Sequence, residues 1–178
     1  MSRTRRVIGI DISTQTVTAI LVGVEERDGR PAELVLSDRW IERRPCRDEF
    51  SRKNPAVWLE LARNCVAGLK EIVAEAETVE SIGVSTTFPG CFAVFEDGFV
   101  DPRFVSLYDN TDDAGVCKDE FDAALALAER ETLNRLWAGS MAVGLAHLVK
   151  SRGLRLDKAA KIVPANTAFA CELLRAAG

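Results

Sequence analysis

The stretch Ile8-Gly9-Ile10-Asp11-Ile12-Ser13-Thr14-Gln15-Thr16-Val17-Thr18-Ala19-Ile20-Leu21 sets the reading of the whole chain. Val7 to Ile12 is a short apolar run with one acid, Asp11, near its end. Thr16 to Val24 is rich in β-branched residues, and only Ser13-Thr14-Gln15 separates the two runs. β-branched side chains favour strands, and three residues is a hairpin length. The segment therefore predicts a buried strand ending in a carboxylate, a turn of small residues, and a strand leaving the turn. The turn's backbone amides and the hydroxyls of Ser13, Thr14 and Thr16 can surround phosphate oxygens. Asp11 can hold Mg²⁺ beside them, directly or through water. Phosphoryl transfer depends mainly on positioning and charge neutralisation, so such a hairpin suits it. The alternative is a plain hairpin in which Asp11 only tethers its own turn.

Outward from this segment, composition sets limits. The 178 residues carry 23 Lys plus Arg and 27 Asp plus Glu, a net charge of −4. That argues against a general nucleic-acid binder, which needs a basic surface to release counterions from phosphates. With 47% apolar and 28% charged residues the balance is globular. A chain of this length buries roughly 70% of the surface its unfolded form exposes, enough for one domain spanning 1–178. No apolar run reaches the length of a membrane span. Met1 to Arg6 is basic, but the apolar residues after it are broken at once by Asp11, so no secretory leader is expected and the chain reads as cytoplasmic. The five cysteines are far apart and form no CxxC, which indicates neither a disulfide framework nor a zinc site.

The turn Arg27-Asp28-Gly29-Arg30-Pro31 leads to a third strand, with Leu34, Leu36 and Trp40 on one face. Three strands joined by tight turns predict an antiparallel meander. Asn54-Pro55 opens a helix, since Asn caps free amides and Pro at the first position loses no hydrogen bond. Trp58, Leu61, Ala62, Cys65, Leu69, Ile72, Val73 and Ala76 recur at steps of three and four, which predicts a packed face on a helix over 54–77. Val79 to Ser85 reads as a buried strand, Cys91 to Phe95 as another, and Phe104 to Tyr108 as a short apolar segment. Helices are predicted over 114–137, 141–150 and 166–176. The result is a mixed α/β layered domain.

In this order, the segments resemble the FGGY carbohydrate kinases. Ile8 to Leu21 resembles the first phosphate motif of the sugar kinase, Hsp70 and actin superfamily. Asn54-Pro55-Ala56-Val57-Trp58 resembles the D-P-x-x-W opening of the family's first long helix, and Ile82-Gly83-Val84-Ser85 the strand that follows. Thr87-Phe88-Pro89-Gly90 falls where xylulokinases carry a Q-M-H-G-like turn. Leu107 to Asp112 falls on an L-W-x-D-x-R-like segment, Leu145 to Val149 on K-L-L-W-L, and Lys161 to Thr167 on V-L-x-P-x-D-Y. The resemblance implies an actin-like (ribonuclease H-like) ATPase domain, a mixed sheet with its first three strands antiparallel, and flanking helices. It implies ATP and Mg²⁺ as cofactors, with Asp11 positioning the metal and Ser13, Thr14, Gln15 and Thr16 lining the phosphates. Thr87, Phe88, Asp109 and Asn110 would face a sugar or polyol.

Departures from the family pattern accompany the match. Ser13 stands where Gly is usual, Thr18 where many members carry Arg or Lys, and Pro89 where xylulokinases carry His. Asn110 and Asp112 replace the usual Asp and Arg. Family members are longer, with two domains around a cleft, and their catalytic base falls beyond the position matching Gly178. The expectation is the N-terminal portion of a carbohydrate kinase, inactive alone and with an apolar face open to self-association. The alternative is a degenerate, non-catalytic paralogue that binds a sugar or a partner chain. Among other residues, His147 reads as a helix-packing or surface histidine. Arg39, Arg43, Arg44 and Arg47 read as solvated edge charges. Phe88, Phe92, Phe95, Phe99 and Phe104 read as mostly core.

Overall fold

The computed structural model describes residues 3–26, 32–36, 40–72, 79–109, 126–127, 129–131 and 139–178. The turn at 27–31, Asn110, Asp112 and most of the helix predicted over 114–137 lie outside the described residues. The chain forms two compact units, Met1–Arg52 with Ala56–Thr86, and Lys53–Pro55 with Thr87–Gly178.

The first unit is built on the predicted hairpin. β1 (Arg3–Ile12) and β2 (Thr16–Glu26) pair antiparallel, with Ile12 opposite Val17 and Asp11 opposite Thr18. β5 (Val79–Thr86) adds to the other edge of β1 in parallel, so the sheet is mixed. Strand alternation puts Ile8, Ile10 and Ile12 of β1 and Val17, Ala19 and Leu21 of β2 on one buried face. Between β4 (Ile41–Pro45) and β5 run the short α1 (Glu49–Arg52) and the long α2 (Pro55–Lys70). α2 buries Trp58, Leu59, Ala62, Cys65 and Leu69, and Cys65 Sγ donates to the Val17 carbonyl at 3.6 Å.

Three expectations are corrected here. The third strand is two short pieces, β3 (Glu33–Val35) and β4 (Ile41–Pro45), which pair with separate parts of β2. Eleven-residue β2 is long enough for both to share its edge. Leu34 and Leu36 are exposed, and Trp40 is half-buried with the Arg6 guanidinium 4.7 Å from its ring centroid. Ile72 lies two residues past the end of α2 and is 40% exposed, so it is not part of the packed face. β5 is not buried. Ile82 is 54% and Val84 44% exposed, because β5 is an edge strand, paired among the described residues with β1 alone. An apolar run identifies a strand, but not how many neighbours it has.

The second unit is a small antiparallel sheet in which β6 (Gly90–Val94) lies between β7 (Val100–Leu107) and β8 (Lys161–Val163). Every residue of β6 is buried. Gly98, at φ 77°, takes a left-handed conformation that favours glycine, and this closes the turn from β6 to β7. α3 (Met141–Lys150) lies close on this sheet: a Cβ added to Gly144 would come within 3.2 Å of Cys91 Cβ. Leu148, Cys91, Ala93 and Leu154 form one core cluster, with Phe95 and Phe104 packed against it. Phe92 is buried, whereas Phe88 and Phe99 are exposed. His147 is buried on α3, as a packing residue, with Arg152 Nε donating to its Nε2 at 3.4 Å. α4 (Ala165–Ala177) buries Ala168, Phe169 and the Glu172 carboxylate, which Arg175 clasps through two nitrogens. Among the described residues no helix is long and apolar enough to cross a membrane.

Candidate functional site

Because Ile8, Ile10 and Ile12 lie on the buried face, alternation sends Gly9 and Asp11 to the opposite, open face of β1. Residues directly paired across strands share a side of the sheet. Asp11 is opposite Thr18 on β2 and Ser85 on β5, and Thr18 is opposite Arg43 on β4. The register therefore aligns Arg43, Thr18, Asp11 and Ser85 in one row across four strands. Behind that row, Gly9 is opposite Ile20 on one side and Gly83 on the other. These residues line a hollow of about 500 Å³.

The two glycines make the depression. A Cβ at Gly9 would come within 3.3 Å of the Ile20 side chain, and one at Gly83 would project into open space with nothing within 4 Å. Asp11 is exposed, and among the described residues no cation pairs with its carboxylate. An exposed carboxylate, two hydroxyls and a guanidinium around a shallow floor can together hold a metal ion and a phosphate group. No group of three or more His, Cys, Asp or Glu side chains that could hold a metal occurs among the described residues. Among the described residues, Asp11 is the one carboxylate lining the hollow that could ligate a metal.

The Ser13-to-Thr16 turn is arranged differently from the expectation. Ser13 Oγ accepts from the amides of Gln15 at 3.3 Å and Thr16 at 3.1 Å, and Ser13 N donates to the Thr16 carbonyl at 2.9 Å. The amides of Ser13, Gln15 and Thr16, expected to face phosphate, are thus bonded within the turn. Thr14 is buried, with its carbonyl accepting from Arg52 Nε at 2.8 Å, and the Gln15 carbonyl accepts from Cys46 N at 2.7 Å. α1 presents that arginine because Asp48 and Ser51 bond reciprocally at its start. The Ser51 amide also holds the Asp48 carboxyl below the usual carboxylate range. Ser13, Thr14, Gln15 and Thr16 form the end of the hairpin and do not line the hollow.

Of the residues expected to face a sugar, Thr87 is half-buried, and Phe88 and Asp109 are exposed, all in the second unit. Asn110 lies outside the described residues. Cys46 and Cys65 are free thiols whose pKa burial pushes up, which makes them poor nucleophiles. Sequence reasoning missed Gly83, Ser85 and Arg43 as neighbours of Asp11. One signal was present: Ile8-Gly9-Ile10-Asp11 and Ile82-Gly83-Val84-Ser85 share a pattern, and the parallel register matches them position for position.

No protein-family model matches the chain, and no curated protein matches it in sequence. Solved structures do. The chain superposes on xylulose kinase from Rhodospirillum rubrum with a TM-score of 0.65 at 20% identity, over 93% of its own length. It superposes on gluconate kinase from Lactobacillus acidophilus with a TM-score of 0.67 at 12% identity, over 94%. The fold is that of the FGGY carbohydrate kinases. The chain spans about a third of each of these structures, 33% of the first and 32% of the second. Within this FGGY-type fold the first unit supplies the mixed sheet and the Asp11 hollow, and the second supplies a separate antiparallel sheet.

Proposed function

We propose that the chain forms part of a carbohydrate kinase that transfers the γ-phosphate of ATP to a sugar or polyol hydroxyl, and that the Asp11 hollow receives the phosphates. The observation that carries this reading is the exposed Asp11 carboxylate, unpaired among the described residues, beside a glycine floor. Mg²⁺ suits such a site, because it keeps several waters and binds through one or two carboxylates plus substrate phosphates. When bound, it neutralises the charge on the phosphates. Asp11 supplies its protein oxygen, and the Thr18 and Ser85 hydroxyls donate to phosphate oxygens. Thr87, Phe88, Asp109 and Asn110 are assigned to the sugar.

The test is calorimetric titration of the chain with ATP, in Mg²⁺ and in EDTA. Binding that is tighter with Mg²⁺ is the expected result. Equal binding in both, or none, overturns the reading.

The glycine floor gives a prediction that separates binding from folding. Gly83→Val places a branched side chain into open space on a strand, where Val is favoured and the unfolded chain loses freedom. The melting temperature should hold or rise. MgATP affinity should fall by at least about tenfold, a loss of roughly 1.4 kcal/mol. Unchanged affinity would show that ligand does not occupy the hollow.

A further inference from the structure

β4 carries three consecutive charges, Glu42, Arg43 and Arg44, and alternation divides them between the faces of the sheet. Glu42 and Arg44 lie on the α2 side. Arg44 Nη1 donates to Glu42 Oε2 at 2.7 Å, and a Cβ on Gly68 of α2 would come within 2.9 Å of Glu42 Cδ. Arg43 points the other way. It is exposed, lines the Asp11 hollow, and among the described residues has no carboxylate partner. An arginine that serves only to discourage edge pairing needs no particular register. Arg43 has one, opposite Thr18, which is itself opposite Asp11. Two strand spacings, about 10 Å, separate the Arg43 and Asp11 backbones. A cation and an anion thus border one hollow from opposite sides without forming an ion pair.

We propose that Arg43 binds phosphate oxygens of the nucleotide directly, from the rim opposite Asp11. This rests on reading the hollow as the ATP site, and it divides the work there. Asp11 acts through the metal, and Arg43 acts without it. Thr18 is a neutral hydroxyl and brings no positive charge to the phosphates. The guanidinium one strand further out reaches into the same hollow, and its planar fork matches two phosphate oxygens.

The experiment titrates ATP, with Mg²⁺ and with EDTA, into wild type, Arg43→Ala, Arg43→Gln, Arg43→Lys and Arg44→Ala, and records each melting temperature. Arg43→Ala and Arg43→Gln should each weaken MgATP binding about ten- to a hundredfold, the range of a hydrogen bond to a charged group. The factor by which Mg²⁺ improves affinity should stay at its wild-type value. Arg43→Lys should recover part of the loss, because it keeps the charge without the fork. Arg44→Ala should bind as wild type does. If the Arg43 variants bind within twofold of wild type while wild type remains Mg²⁺-dependent, the assignment of Arg43 is overturned and that of Asp11 stands. If wild type shows no Mg²⁺-dependent binding, the reading of the hollow is overturned and this proposal with it.

Discussion

Trp58→Ala is expected to destabilise the chain by about 3–5 kcal/mol, the cost of removing a large aromatic ring from a packed core. Trp58 is 0% exposed and sits in the first turn of α2, with Leu59, Ala62, Cys65 and Leu69 buried along the same helix. Truncation leaves a cavity, and close-packed neighbours collapse only partly into it. Ile72→Ala is the internal control. Ile72 is 40% exposed beyond the helix end, so its loss should be a small fraction of that at Trp58. Urea denaturation followed by circular dichroism measures both. A Trp58→Ala change below about 1 kcal/mol, where a core aromatic should cost several, would mean that α2 does not anchor the sheet.

The second large effect is at Asp11. Asp11→Asn preserves size and polarity and removes the charge. Folding should not change, because the side chain is exposed and among the described residues has no cation partner. The advantage of MgATP over ATP in EDTA should disappear. Even outer partners of metal ligands are worth about 10–100-fold in metal affinity, so a direct ligand should be worth at least that. A variant that keeps the full Mg²⁺ response would remove Asp11 from the metal site, whatever its effect on overall affinity.

Much of the first unit was legible in the sequence. The β1–β2 hairpin and α2 each carry a hydrophobic period that only one element satisfies, and Pro55 marks the helix start. The division of the third strand was not legible, because periodicity does not count the partners along an edge. The exposure of β5 was hidden for the same reason: Ile82 and Val84 are as apolar as core residues. Ser13 shows the limit of residue-type reasoning at the turn. Its hydroxyl could serve phosphate or its own backbone, and the structure has it accepting from the Gln15 and Thr16 amides. The tether of the turn is Ser13, not Asp11. The hollow depends on a long-range parallel register between Gly9 and Gly83, 74 positions apart, and on strand parity at Arg43. Neither can be read from a local window. The repeated Ile-Gly-apolar-polar pattern hinted at the first, and only the pairing of β4 with β2 reveals the second.

In the proposed site, metal and phosphate meet at Asp11. The most direct test replaces Mg²⁺ with paramagnetic Mn²⁺ and follows the backbone amide signals of the chain by NMR as ATP is added. The amides of Gly9, Asp11, Thr18, Gly83 and Ser85 should broaden first and most, and Asp11→Asn should abolish the effect. Broadening that spares these five and centres on carboxylates elsewhere, such as Asp109 or Asp157, would contradict the proposed site.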